Sequence, residues 1–265
     1  MNMSDMIVRR LAVAIEAARA GGEYLRKMGR TAAFTVEEKG ANDFVTEADR
    51  GCEAIIIRTI KQYFPGDGIL AEESGSEIGE EGGRWIIDPI DGTVNFTRSI
   101  PDYTISIAWE GERYSPAVAV VYNPRQDELF SCSSGGGAFL NGERISVSTV
   151  SEPGRALIAT VGPHRRRERY ERYREQATRL FLGTSDIRSY GSCALSLAYL
   201  AAGRLDAYYE MSLGYWDLAA GLALVREAGG MGTPASDQVP FTDTACDLVA
   251  SNGLLHPLIL HMVQQ

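Results

Sequence analysis

Trp85-Ile86-Ile87-Asp88-Pro89-Ile90-Asp91-Gly92-Thr93 is the stretch on which the fold turns. An apolar, β-branched run that stops abruptly at acids reads as a buried strand presenting Asp88 and Asp91, three residues apart, at its carboxyl end. Pro89 stiffens the turn, and Gly92 lets backbone approach a ligand closely. Thr93 is placed to cap a following helix, whose free N–H groups attract phosphate. Two carboxylates this close repel each other and take up protons unless a cation neutralises them, so the arrangement asks for a hard divalent metal. An Asx-type turn alone would use the same residues, but other acids follow the same pattern.

Leu70-Ala71-Glu72-Glu73-Ser74 repeats the device, a short apolar strand ending in acids before a glycine-bearing loop. Glu72, next to the strand end, is the ligand candidate, whereas Glu73 fits a solvated loop. Tyr215-Trp216-Asp217-Leu218-Ala219-Ala220-Gly221 opens a helix with an acid in its first turn, where capping alone would also account for Asp217. The three histidines, His164, His256 and His261, adjoin none of these segments, which argues against a histidine nucleophile or a three-histidine zinc site. Oxygen ligands without imidazole or thiolate suit Mg²⁺ completed by the substrate's own phosphate. No Gly-x-Ser-x-Gly nucleophile elbow occurs, and Gly135-Gly136-Gly137 lacks the lysine and serine of a phosphate-cradling loop.

Around these segments the hydrophobic period alternates. Helices are expected over 4–28, after the capping threonine Thr46, over 165–180, from Ser192, over 216–228 and over 254–263. Short strands are expected at 84–88, 104–110, 117–122, 128–133, 156–161, 187–190, 205–210 and 247–250, with Asn141-Gly142 as a tight hairpin. Helices must cover sheets, which gives layered α/β or α+β packing in one compact unit spanning 1–265. With 265 residues, 45% apolar and 23% charged, the chain can bury a large core. Its apolar runs are too short to span a bilayer, and the amino terminus lacks the features of a secretory signal, so a cytoplasmic protein is expected. Cys52, Cys132, Cys193 and Cys246 lie far apart and read as reduced packing thiols. A formal charge of −9 disfavours nucleic acid as a partner of the chain as a whole.

Four blocks together resemble the inositol monophosphatases of the metal-dependent, lithium-sensitive phosphatase superfamily: Asp43-Phe44-Val45-Thr46-Glu47-Ala48-Asp49, Glu72-Glu73-Ser74, Trp85 through Phe96, and Trp216-Asp217-Leu218-Ala219-Ala220-Gly221 continuing to Gly230. The resemblance implies an αβαβα sandwich of the inositol monophosphatase and fructose-bisphosphatase type. It also implies two to three Mg²⁺ per site, held by Glu72, Asp88, the carbonyl of Ile90, Asp91 and Asp217. Hydrolysis would use metal-activated water, with no covalent enzyme intermediate. Thr93, hydrogen-bonded toward Asp49, would orient that water beside Glu72, and the N–H groups of Gly92 and Thr93 would receive the phosphate. Lys39 matches a basic position that supports the metal-site loop.

On the alcohol side the resemblance implies contacts from Gly191, Ser192, Cys193, Glu210, Asp91 and Asp217, and Val94-Asn95 favours inositol. Departures are modest: Ser192 and Cys193 replace residues that are more often threonine or serine followed by alanine, and Ala71 replaces a frequent glycine. The implied reaction converts myo-inositol monophosphate to inositol and phosphate, and the implied assembly is a homodimer. Fructose 1,6-bisphosphate, histidinol phosphate or another small phosphate is the alternative substrate on the same fold. An RNA- or RNA-polymerase-binding regulatory protein is the alternative of another class. Its local support is His164-Arg165-Arg166-Arg167 through Arg174, read as an arginine-rich helix whose glutamates can pair with those charges.

Overall fold

The computed structural model describes residues 3–29, 36–40, 43–80, 82–111, 114–236, 241–243 and 245–265. Helix α1 (Met3–Met28) is followed by a two-stranded ribbon, β1 (Val36–Gly40) and β2 (Asp43–Thr46), and then by α2 (Glu47–Tyr63). The capping threonine works as its position suggests. Thr46 Oγ1 accepts the N–H of Ala48 and Asp49, and the Asp49 carboxylate accepts the Thr46 N–H at 2.8 Å. This reciprocal box leaves fewer orphan donors at the helix start and fixes Asp49 in space.

An eight-stranded sheet follows: β3 (Gly68–Ala71), β4 (Gly75–Glu77), β5 (Arg84–Asp91), β6 (Thr104–Glu110), β7 (Val118–Asn123), β8 (Glu128–Ser133), β9 (Gly137–Leu140) and β10 (Glu143–Ile145). The short helix α3 (Thr93–Thr97) interrupts it after β5. Spatial order is β10-β9-β8-β7-β6-β5-β3-β4, with β3 and β5 parallel and every other pairing antiparallel. Asn141 and Gly142 both have positive φ, 50° and 87°, the conformation a two-residue hairpin between β9 and β10 requires.

The second half contributes β11 (Leu157–Thr160), α4 (Tyr170–Gly183), β12 (Asp186–Arg188), α5 (Cys193–Ala201), β13 (Ala207–Leu213), α6 (Tyr215–Glu227), β14 (Met231–Pro234), β15 (Cys246–Ser251) and α7 (His256–Gln264). Its five strands run β12-β11-β13-β15-β14.

Three apolar clusters separate five layers. Ala14, Ala18, Cys52 and Ile56 of α1 and α2 meet Ile87, Ile107 and Val120 on one face of the large sheet. Ile86, Ala108 and Val121 on its other face meet α5 and α6, which in turn cover Tyr208, Leu248 and Ala250 of the small sheet. Ile158, Ala207 and Val249 on that sheet's outer face pack against Leu180 of α4 and Ile259 of α7. The order α-β-α-β-α is the expected sandwich. Alternation along β5 explains why one strand serves two cores: Trp85 and Ile87 face α1 and α2, and Ile86 faces α5 and α6. The start of β5 is pinned by Trp85 Nε1, which donates to Asp67 Oδ2 at 2.9 Å, while Arg10 donates to the same carboxylate at 3.0 Å. Removing one partner of a buried pair such as this costs about 3–5 kcal/mol.

Two local expectations need correction. The arginine-rich segment is not helical from 165: residues 167–169 form a 3₁₀ turn, and α4 begins at Tyr170. Arg169 is committed to Asp247 at 2.6 Å and to Ser212 at 2.7 Å, which ties the chain to the small sheet before the helix can start. Thr93 is not a cap. Gly92 holds the N-cap position in the left-handed region (φ 97°), where an added Cβ would also lie 3.0 Å from the carbonyl of Asp102. Thr93 is therefore the first helical residue, and its hydroxyl is free to turn toward other partners.

Candidate active site

The carboxyl end of β5 and the amino ends of α5 and α6 meet at one point. One carboxylate oxygen each from Asp88, Asp91 and Asp217 lies within 4.8 Å of the others, and all three residues are buried. Each is aimed by a backbone donor. Asp88 Oδ1 accepts the Ile90 N–H at 3.0 Å, and the β5–β6 register slips between Asp88 and Asp91, the kind of irregularity that re-aims side chains. Asp91 Oδ2 accepts Ser192 Oγ at 2.5 Å and Ala194 N–H at 2.6 Å, so the start of α5 holds it. Asp217 closes the first turn of α6 by accepting the Gly214 N–H at 2.7 Å. It is a capping acid and a member of the cluster at once.

Glu72 stands outside the three-acid cluster but borders Asp88 closely enough to raise the latter's pKa by charge and by hydrogen bonding. Its loop is clamped by a residue that sequence reasoning missed: Glu53 of α2 is buried and accepts the N–H groups of Glu73 and Ser74, each at 2.9 Å. The available signal was its spacing, one turn beyond Asp49 on the same helix face. Thr93 Oγ1 sits 3.1 Å from Asp49 Oδ1 and 3.1 Å from the Ile90 carbonyl, linking α2 to the turn after β5. The side chain of Lys39 lies outside the described residues.

The electrostatics ask for a cation. Burial first, and then the charges of Glu72, Asp91 and Asp217, push the Asp88 carboxyl well above the usual range. Burial and Asp217 push Asp91 up to about 7 despite the opposing hydrogen bonds from Ser192 and Ala194. Such carboxyl groups would release their protons to solvent as a hard divalent ion binds, and an oxygen-only donor set fits Mg²⁺ better than Zn²⁺ or Cu²⁺.

Linkage gives a testable sign. In the unfolded chain Asp91 ionises near pH 4, whereas in the folded chain it ionises near 7, so between these values the native state binds more protons. Its contribution to stability is full below about pH 4 and is lost as the pH rises through 7. Without divalent ions the melting temperature should therefore fall from pH 5 to pH 8, at about 2–4 °C per kcal/mol. Saturating Mg²⁺ should stabilise the protein more at pH 8 than at pH 5. Calorimetry showing equal Mg²⁺ stabilisation at both values would contradict the ligation.

A cleft of about 320 Å³ opens beside the cluster. Asp91, Gly92, Thr93, Asp217, Gly191, Cys193 and Glu210 are among the residues that line it. Burial raises the Glu210 carboxyl to about 8 against a hydrogen bond from Tyr208 that favours its ionised form. Ser192 has a different place from the one its sequence position suggests. It is almost fully buried and its hydroxyl serves Asp91, so it positions an acid instead of facing the cleft. Asn95 is likewise engaged, donating to the carbonyls of Asp102 at 2.6 Å and Tyr190 at 2.7 Å. His164, Arg165 and Arg167 also line the cleft, a placement that reading them as one helix face had hidden. All four cysteines are buried and free, as packing thiols should be. Among the described residues no helix is long and apolar enough to cross a membrane.

A five-layer αβαβα fold here gathers carboxylates at strand and helix ends beside a cleft lined by charged side chains, an arrangement suited to metal-assisted phosphate chemistry. The chain belongs to the inositol monophosphatase family, whose model matches residues 7–265. It is 39% identical to an inositol-1-monophosphatase of Mesorhizobium japonicum over 258 residues, 96% of each chain. It is 43% identical to Nus factor SuhB of Escherichia coli (strain K12) over 223 residues, 83% of each chain. The crystal structure of extragenic suppressor protein suhB from Bartonella henselae shares the fold with a TM-score of 0.91 at 36% identity, covering 97% of this chain and 99% of that one.

Proposed function

We propose that this chain hydrolyses myo-inositol monophosphate to inositol and phosphate with Mg²⁺ as cofactor and water as nucleophile. The observation that carries the reading is the convergence of Asp88, Asp91 and Asp217 within 4.8 Å beside a cleft that Glu210 also lines. Asp88, Asp91, Asp217, Glu72 and the Ile90 carbonyl would hold two to three ions. When bound, magnesium supplies positive charge to the ester phosphate and lowers the pKa of water at the site.

Thr93 does the positioning. Its single hydroxyl proton goes to Asp49 or to the Ile90 carbonyl, both at 3.1 Å, which leaves a lone pair to accept a hydrogen bond from the attacking water. Asp49, its pKa raised by burial, stands behind Thr93 as the group that receives the proton. Backbone N–H groups of Gly92 and Thr93 receive phosphate oxygens, and Gly191, Cys193 and Glu210 face the polyol.

The same reading carries inhibition by Li⁺, a homodimer and a cytoplasmic location. Phosphate release should be followed across inositol monophosphates, fructose 1,6-bisphosphate and histidinol phosphate, with and without Mg²⁺ and Li⁺. Mg²⁺-dependent, Li⁺-sensitive release that is fastest on an inositol monophosphate supports the reading. Release from none of these esters ends it.

Relatives named Nus factor SuhB support a second reading, a regulatory role through RNA or an RNA polymerase alongside catalysis. Low-salt RNA binding by the wild-type chain, lost when Arg165 to Arg167 are neutralised, would support it, and no RNA binding at low salt would end it.

A further inference from the structure

Ser212 of β13 stands in the left-handed region at φ 64°, a conformation that serine holds only when its surroundings impose it. The imposing groups form a closed ring. The Ser212 N–H donates to Asp247 Oδ1 at 3.0 Å, and Arg169 Nη1 donates both to that oxygen and to Ser212 Oγ, each at 2.7 Å. Arg169 Nη2 completes a two-pronged pair with Asp247 Oδ2 at 2.6 Å. A guanidinium fork on a carboxylate is the ion-pair geometry that holds best when partly exposed, so the ring can keep a backbone that serine alone would leave.

The constrained residue sits in a β-bulge. Glu210 pairs with Leu248 and Leu213 with Cys246, so Met211 and Ser212 together oppose the single residue Asp247. Up to that point β13 alternates: Tyr208 packs toward α5 and α6, whereas Ala207, Tyr209 and Met211 pack toward α4 and α7. Strict alternation would send Leu213 to the outer face with Met211. The extra residue reverses the phase, and Leu213 instead joins the inner cluster and, with Glu210, lines the cleft. We propose that Arg169, Asp247 and Ser212 are positioning residues: their ring fixes the bulge that presents Glu210 and Leu213 together to the alcohol part of the substrate, and so sets the preference for that alcohol. None of the three is among the residues lining the cleft, so they act through Glu210 and Leu213.

This role rests on the phosphatase reading above, and steady-state kinetics of the full-length Mg²⁺-loaded protein on two esters tests it. Inositol 1-phosphate brings hydroxyls to Glu210, and 4-nitrophenyl phosphate brings none. Arg169→Met keeps the reach of the side chain and removes the fork. It should raise KM for inositol 1-phosphate by about tenfold with kcat within about twofold, and leave both constants for 4-nitrophenyl phosphate within about twofold. Ser212→Gly alone should stay close to the wild type, because glycine adopts positive φ unaided. Added to Arg169→Met, it should bring KM back to within about threefold of the wild type, a rescue that an ion pair serving only stability would not show. Ser212→Val leaves Arg169 and Asp247 paired, but a β-branched residue resists φ 64°, so it should raise the same KM as Arg169→Met does. Approaching the ring from both ends protects the test against one variant misfolding. Equal losses on both esters, no change in either variant, or no rescue by Ser212→Gly would overturn the positioning role and leave the phosphatase reading standing. A wild type that releases no phosphate from inositol 1-phosphate would overturn both.

Discussion

Replacing Asp88 with asparagine should lower turnover by about three orders of magnitude while leaving the fold intact. The amide is nearly isosteric, and its oxygen can still accept the Ile90 N–H that closes the turn at 3.0 Å. What disappears is one negative charge at the centre of the cluster, where the positive ions of the reaction must be held, a loss of several kcal/mol at the transition state. Stability should move the opposite way. Burial and three neighbouring carboxylates push the Asp88 carboxyl up, so ionising it is costly in the metal-free protein, and an amide that cannot ionise avoids that cost. Asp88→Asn should therefore melt at or above the wild-type temperature without Mg²⁺ and gain little when Mg²⁺ is added. A variant that melts earlier and remains active would show that Asp88 is a structural acid.

Thr93→Val should reduce kcat by about a hundredfold, the usual scale for losing a group that orients or takes a proton. Valine keeps the volume and the branched shape at the first position of α3, but it cannot bridge Asp49 and the Ile90 carbonyl. Asp49 keeps its hydrogen bonds from Thr46, so the capping box and α2 should survive. The Mg²⁺-dependent rise in melting temperature should be close to that of the wild type, which separates this variant from Asp88→Asn. A loss confined to KM would place Thr93 in phosphate binding instead.

The contrast between these two residues also shows what the amino-acid sequence discloses. Asp88, Asp91 and Glu72 were legible because each stands at the end of an apolar strand, a local signal that period and turn residues reveal. Thr46 with Asp49 was legible for the same reason, since a capping box spans three residues. Ser192 was legible as the start of a helix, but its bond to Asp91 spans 101 positions and exists only because α5 packs behind β5. Glu53 reaches 20 residues along the chain to fasten the loop beside Glu72. The late start of α4 has the same origin: Arg169 is captured by Asp247, 78 residues away. Local periodicity could not show that capture, nor the turn that brings Arg165 and Arg167 to the cleft.

The most direct test of this account is to load the protein with Mn²⁺ in place of Mg²⁺ and locate the ion by anomalous scattering. At least one strong peak should lie within ligand distance of carboxylate oxygens from Asp88, Asp91 and Asp217 together, and it should vanish in Asp88→Asn crystals grown the same way. No peak in that space at saturating Mn²⁺, in protein that releases phosphate in the same buffer, would contradict it.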